Sequence, residues 1–166
     1  MTLIDQKSKS NYLKERREAI KAEYPFPKMI CFENKTKYGG MVVVKNIEFS
    51  TKCEHHLVSI KGVCHIGYIP NKKVLPGLSQ VARVVEYYCN PTTEITQEEA
   101  NQQIANFINK EANPLGLIIV MEAKHDCMCS RGVKQRNSSA ITSEIRGCME
   151  NLDTRNEFFK LLELGK

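Results

Sequence analysis

A chain of 166 residues with 42% hydrophobic and 26% charged residues has the composition of one globular domain, and no apolar run approaches the roughly 20 residues of a membrane-spanning helix. The polar start, Met1 to Ser10, lacks the apolar stretch of a secretory signal, which predicts a cytoplasmic protein without membrane partners. A net charge of +5 suits an anionic small ligand, while the absence of tryptophan and an aromatic content of 7% argue against nucleic acid.

Residues 1–9 read as a loose tail, and residues 10–23 as a helix capped by Ser10 or Asn11 and ended by Pro25 and Pro27. The apolar stripe of that helix is thin, so it needs a neighbour, such as another subunit, to cover it. Met41 to Phe49 is β-branched and then alternating, which predicts a strand entered through Tyr38-Gly39-Gly40. Gly62 to Ile69 predicts a second strand, ended by Pro70-Asn71. Leu78, Val81, Ala82, Val85 and Tyr88 recur at helical spacing, so residues 77–89 are expected to form a helix with that face buried. Thr96-x-x-Glu99 reads as a capping box for a helix to about Ala112. Leu117 to Ala123 reads as a buried strand, Ser139 to Met149 as a last strand, and a final helix follows, capped by Asp153 or Thr154. This order predicts an α+β fold, one antiparallel sheet covered by helices on one face.

The chemistry concentrates in Cys53-Glu54-His55-His56 and, some seventy residues on, His125-Asp126-Cys127. A thiolate and an imidazole three positions apart, joined by a distant thiolate, suit zinc, and three protein ligands leave a fourth position open, as in catalytic sites. Spacing alone does not choose between Cys127 and Cys129, because alternation along an extended segment would put both on one face. His55 and His125 neighbour the proposed ligands and suit proton transfer near neutral pH. His65, alone in a strand, reads as a satisfied core histidine. The seven cysteines are scattered; Cys64, Cys89 and Cys148 lie in apolar segments and read as small core residues. Arg83, one turn after Ser79, and Arg131 are candidate anion holders. Glu98 by itself is explained by the dipole of the helix it opens.

The runs Phe49-Ser50-Thr51-Lys52-Cys53-Glu54-His55-His56-Leu57-Val58, His65-Ile66-Gly67-Tyr68-Ile69-Pro70-Asn71-Lys72, Gly77-Leu78-Ser79-x-x-Ala82-Arg83, His125-x-Cys127-Met128-x-x-Arg131-Gly132-Val133 and Asn137-Ser138 resemble, in the same order, the GTP cyclohydrolase I family. The resemblance runs from about Met41 to Phe159. It divides the chain into 1–40, an N-terminal tail, helix and linker, and 41–166, a catalytic domain. It implies the tunnelling fold, an antiparallel sheet with a helix pair on one face that closes into a barrel on oligomerisation. Ring-shaped homo-oligomers, typically decamers with sites between subunits, follow from the same likeness. It also implies that Cys53, His56 and Cys127 hold Zn2+ and that His55 and His125 move protons. Glu98, with its neighbour Gln97, would bind the guanine edge, Ser79 would sit near the ribose, and Arg83 and Arg131 would hold the triphosphate. The implied reaction opens the imidazole ring of GTP by hydrolysis, releases formate and forms 7,8-dihydroneopterin triphosphate.

The chain departs from the family pattern at the phosphate end. Gln80 stands where a lysine is usual, Cys89-Asn90-Pro91-Thr92 replaces basic residues, Pro76 is inserted before Gly77-Leu78-Ser79, and the N-terminal helical region is reduced, as in a short form. Each loss of a basic residue removes a cation from the phosphate end, while the zinc and base ends stay intact. Two further readings therefore stay open: a related purine or pterin enzyme whose substrate carries fewer phosphates, and a non-catalytic purine- or pterin-binding homologue.

Overall fold

The computed structural model describes Ala19 and residues 22–164. Of the helix expected over 10–23, only Ala19, Ala22 and Glu23 fall among them, and all three are helical; the tail expected at 1–9 lies outside them.

Two short strands, β1 (Cys31–Glu33) and β4 (Val74–Pro76), pair antiparallel as a separate ribbon. At three residues each they are too short to show alternation in the sequence. The main sheet contains β2 (Val42–Lys52), β3 (Ser59–Ile69), β5 (Gly116–His125) and β6 (Ala140–Gly147), antiparallel in the order β2-β3-β5-β6. The four expected strands are all present, with shifted ends. One of these shifts carries β2 on to Lys52, so the sheet runs up to the Cys53 cluster.

β2 and β3 lose register between Val44 and Ile47. There Asn46 takes φ 60°, and its displaced N–H donates to His65 Nδ1 at 3.1 Å. His65 thus satisfies a backbone donor that the bulge removes from the ladder.

Helices α1 (Leu78–Tyr88) and α2 (Gln97–Ala112) cover one face of the sheet. Val81, Val84 and Val85 of α1 and Ala100, Ile104 and Ile108 of α2 join Cys64, Ile66, Leu117, Ile119 and Met121 in one core. Leu78 was expected in this face, but as the first residue of α1 it is 58% exposed, and Val84 is buried in the row instead. A four-residue helical turn, α3 (Asp126–Cys129), leaves the end of β5. The last helix, α4 (Leu152–Glu163), lies on the other face, where Phe158 meets Met41, Ile118, Val120 and Met149. The helices are therefore not confined to one side. β5 is buried on both, which is why its run from Leu117 to Ala123 shows little alternation.

Phe158 is wholly buried directly over Gly67, where a Cβ would fall 2.4 Å from its ring. Truncation of this anchor, Phe158→Ala, is expected to cost about 3–5 kcal/mol of stability in urea titration. Its neighbour Phe159 is 44% exposed, and Phe159→Ala should change the midpoint little.

The caps follow the side chains that can reach the free amides. Thr96 caps α2 by accepting from Glu99 N at 3.2 Å, but the Glu99 carboxylate accepts from Gln103 Nε2 at 2.7 Å, so only half of the expected box forms. α4 is capped by Asn151, not by Asp153 or Thr154; its Oδ1 accepts from the backbone N–H of both. Cys64 and Cys89 are core residues as expected, with burial pushing the Cys89 thiol up to about 12. Cys148 is exposed, because the chain leaves the sheet at Gly147.

Candidate metal centre and active site

Cys53 follows the last residue of β2 and starts a tight turn. Its N–H donates to Val58 O at 2.9 Å, and Leu57 N–H returns to Cys53 O at 2.8 Å with Leu57 at φ 55°. That turn folds His56 back onto the sulfur, and Cys53 Sγ lies 3.6 Å from His56 Nδ1. β3 begins just beyond, and Ile60 pairs with His125 at the end of β5. The antiparallel register thereby brings the far end of β5 to the same sheet corner, and α3 presents Cys127 there. The ligand atoms of Cys53, His56 and Cys127 all lie within 4.8 Å of one another.

These residues fit zinc. A tetrahedral ion with Zn–S of about 2.3 Å and Zn–N of about 2.0 Å holds sulfur and nitrogen about 3.5 Å apart. Cys127 is held above the usual thiol range by desolvation and by Cys53 beside it, while Arg131 works in the opposite direction. Two thiols so close resist joint ionisation, and a divalent cation removes that conflict. Cys129 is not in the group; its Sγ is 3.7 Å from Ser138 O. The segment was expected to be extended, with both cysteines on one face. It is a helical turn, in which residues two apart point about 200° away from each other.

The N-terminus of α2 reaches the same corner because the chain before it is pinned to β2. Lys52 N–H donates to Thr93 O at 3.0 Å, and Ile95 N–H donates to Lys52 O at 3.2 Å. Gln97 then meets His125, with Oε1 2.8 Å from Nε2. Burial holds His125 below the usual imidazole range, and Glu98 opposes that shift, so the Glu98 carboxylate lies within electrostatic reach of the ring. His55 is exposed, its ring centroid 6.3 Å from that of His56.

The phosphate-end candidates stand apart. Ser79 and Arg83 lie on the exposed side of α1. Arg83 lines a cleft of about 460 Å³ with Tyr24, Phe26, Lys28 and Gln80, and a second of about 310 Å³ with Phe49, Ser50 and Asn90. Neither cleft is lined by Cys53, His56 or Cys127. Arg131 is exposed after α3. A buried polar layer beneath His125 was not anticipated. Gln97 Nε2 and Asn101 Nδ2 both reach Thr142 Oγ1, at 3.0 and 2.6 Å. Its signal was Gln97 and Asn101 one turn apart on the otherwise apolar face of α2.

No described helix is long and apolar enough to cross a membrane. The architecture is the tunnelling fold. It is shared by a solved apo structure of the archaeosine synthase QueF-Like, which matches with a TM-score of 0.51 at 16% identity, over 64% of this chain and 93% of that one. The family model for GTP cyclohydrolase I matches residues 9–163, and the chain belongs to that family. Among its relatives are proteins named GTP cyclohydrolase 1 from Bacteroides thetaiotaomicron and Dictyostelium discoideum. The first is 42% identical over 130 residues, 78% of this chain and 65% of the relative. The second is 46% identical over 127 residues, 76% of this chain and 53% of the relative. A protein of the same name from Saccharomyces cerevisiae is 48% identical over 122 residues, 74% of this chain and 49% of its own length. The match thus spans about half to two thirds of these relatives.

Proposed function

We propose that this chain is a zinc-dependent GTP cyclohydrolase I that converts GTP to formate and 7,8-dihydroneopterin triphosphate in the cytoplasm. The observation that carries the proposal is the meeting of Cys53, His56 and Cys127 at one sheet corner, beside His125 and Glu98, in a member of this family. Bound there, zinc would supply a Lewis acid able to bring the pKa of water near 7.

The chain's own residues do the rest. The two carboxylate oxygens of Glu98 match the parallel N1–H and 2-amino donors of guanine and so orient the base. His125 and His55 take and return protons as the imidazole ring opens and formate departs. Ser79 faces the ribose. Arg83 and Arg131 neutralise the triphosphate, each charge-assisted contact contributing about 1.5–3 kcal/mol.

Homo-oligomerisation completes the site in this reading. Two features support it: β2 and β6 each have one strand neighbour among the described residues, and Arg83 and Ser79 face outward, away from the metal corner. A decamer is the form the family likeness implies.

A second reading, a substrate with fewer phosphates, is favoured by Gln80 at the cleft that Arg83 lines. Turnover of GTP, GMP and guanosine by zinc-replete protein separates the two. We expect kcat/KM for GTP to exceed that for GMP at least about tenfold, the effect of one phosphate contact. Equal rates on GTP and GMP would favour the second reading, and no product from any of the three would leave a binding protein.

A further inference from the structure

We propose that Gln97 is a positioning residue that locks His125 in one tautomer, with hydrogen on Nε2 and the lone pair on Nδ1. Gln97 is 2% exposed. Its Nε2 lies 2.9 Å from Met121 O and 3.2 Å from Ala140 O, besides Thr142 Oγ1 at 3.0 Å. Carbonyl oxygens only accept, so the group facing them must be the NH2. Turning the amide over would set Oε1 against two backbone oxygens in a buried place, losing two hydrogen bonds and adding repulsion. The orientation of this amide is therefore decided by the backbone.

The consequence passes to the histidine. Gln97 Oε1 faces His125 Nε2 at 2.8 Å and can only accept, so Nε2 must donate. A neutral imidazole carries one N–H, which is thereby assigned to Nε2, and the imidazolium keeps the same bond. Any proton His125 takes or gives must then pass through Nδ1. The support is rigid. Thr96 caps α2 just before Gln97, and Asn101 one turn on donates to Thr142 Oγ1, the hydroxyl that also accepts from Gln97. Gln97 is thus bonded on all sides within the protein, which distinguishes its task from that of its exposed neighbour Glu98.

The tautomer itself depends only on these contacts; its kinetic consequence rests on the proton-transfer role proposed above. Magic-angle-spinning NMR of zinc-loaded protein labelled with 13C,15N-histidine distinguishes the two ring nitrogens, and signals lost in His125→Gln assign the residue. The expected result is one neutral His125 species protonated at Nε2. A predominant Nδ1–H species, or an even mixture, would overturn the lock. Gln97→Met, close in size but without the amide, should show mixed tautomers at His125. Its kcat on GTP should fall about 100-fold with KM changed less than about threefold. Gln97→Glu keeps an oxygen toward Nε2 but sets the other against Met121 O and Ala140 O, so it should be less stable than the parent, and undiminished stability would show that these carbonyls do not orient the amide. An unchanged tautomer in Gln97→Met, or a rise in KM at constant kcat, would show that Gln97 serves a ligand instead. The Nε2–H form in a protein that does not process GTP would reject the reaction while upholding the lock; turnover with the opposite tautomer would do the reverse.

Discussion

Replacing Cys127 with alanine is expected to remove stoichiometric zinc and GTP turnover together while the fold persists. Cys53, His56 and Cys127 are the three groups that converge within 4.8 Å, and the loss of one leaves a thiolate and a single imidazole. Two ligands do not hold zinc in competition with water and buffer, whereas three with an open position define the catalytic type. The fold should survive because Cys127 sits in a four-residue turn outside both hydrophobic clusters. The comparison that sharpens the result is Cys129→Ala, which should keep one zinc per chain, since that sulfur faces Ser138 O. Zinc content by mass spectrometry, far-UV circular dichroism and turnover check all three statements. Zinc retained in Cys127→Ala and lost in Cys129→Ala would reassign the third ligand.

Glu98→Ala is expected to lower kcat/KM for GTP by about 10²–10⁴-fold with zinc content unchanged. The estimate follows from two charge-assisted hydrogen bonds to guanine at about 1.5–3 kcal/mol each. The competing explanation is that Glu98 merely complements the positive end of α2, among the acids of its first turn. That role is worth about 0.3–1 kcal/mol of stability and leaves catalysis within a few-fold. The two magnitudes are far enough apart that one kinetic comparison decides. A kcat/KM within threefold of the parent, with a small loss of stability, would return Glu98 to the helix dipole.

The legible parts of this chain were those encoded locally. Cys53 and His56 are three apart across a turn, so their meeting needs only the backbone between them. The long strands and the helices after Gly77 and Thr96 declared themselves through period and caps. What was not legible depended on long-range docking. The choice of Cys127 over Cys129 turns on whether residues 126–129 are extended or helical, and four residues carry no period. The placement of α4 on the reverse face depends on Phe158 finding Gly67, 91 positions away in the chain. Asn151 could not be ranked above Asp153 as a cap until the turn at Cys148–Glu150 set where α4 begins. The bonding of Gln97 was hidden for the same reason, since its partners Met121, Ala140 and Thr142 lie on two other strands. Family likeness supplied the roles proposed for Ser79, Arg83 and Arg131, and within one chain these side chains remain on exposed surface.

The central claim is that one zinc, held by Cys53, His56 and Cys127, makes this chain a GTP-opening hydrolase. Its most direct test is to strip the pure protein with a chelator, titrate zinc back and follow formate release from GTP. The prediction is no formate from stripped protein, and a linear return of activity that saturates at one zinc per chain, with dihydroneopterin triphosphate formed in equal amount. Saturated zinc binding without formate release, or formate release undiminished by complete removal of the metal, would contradict it.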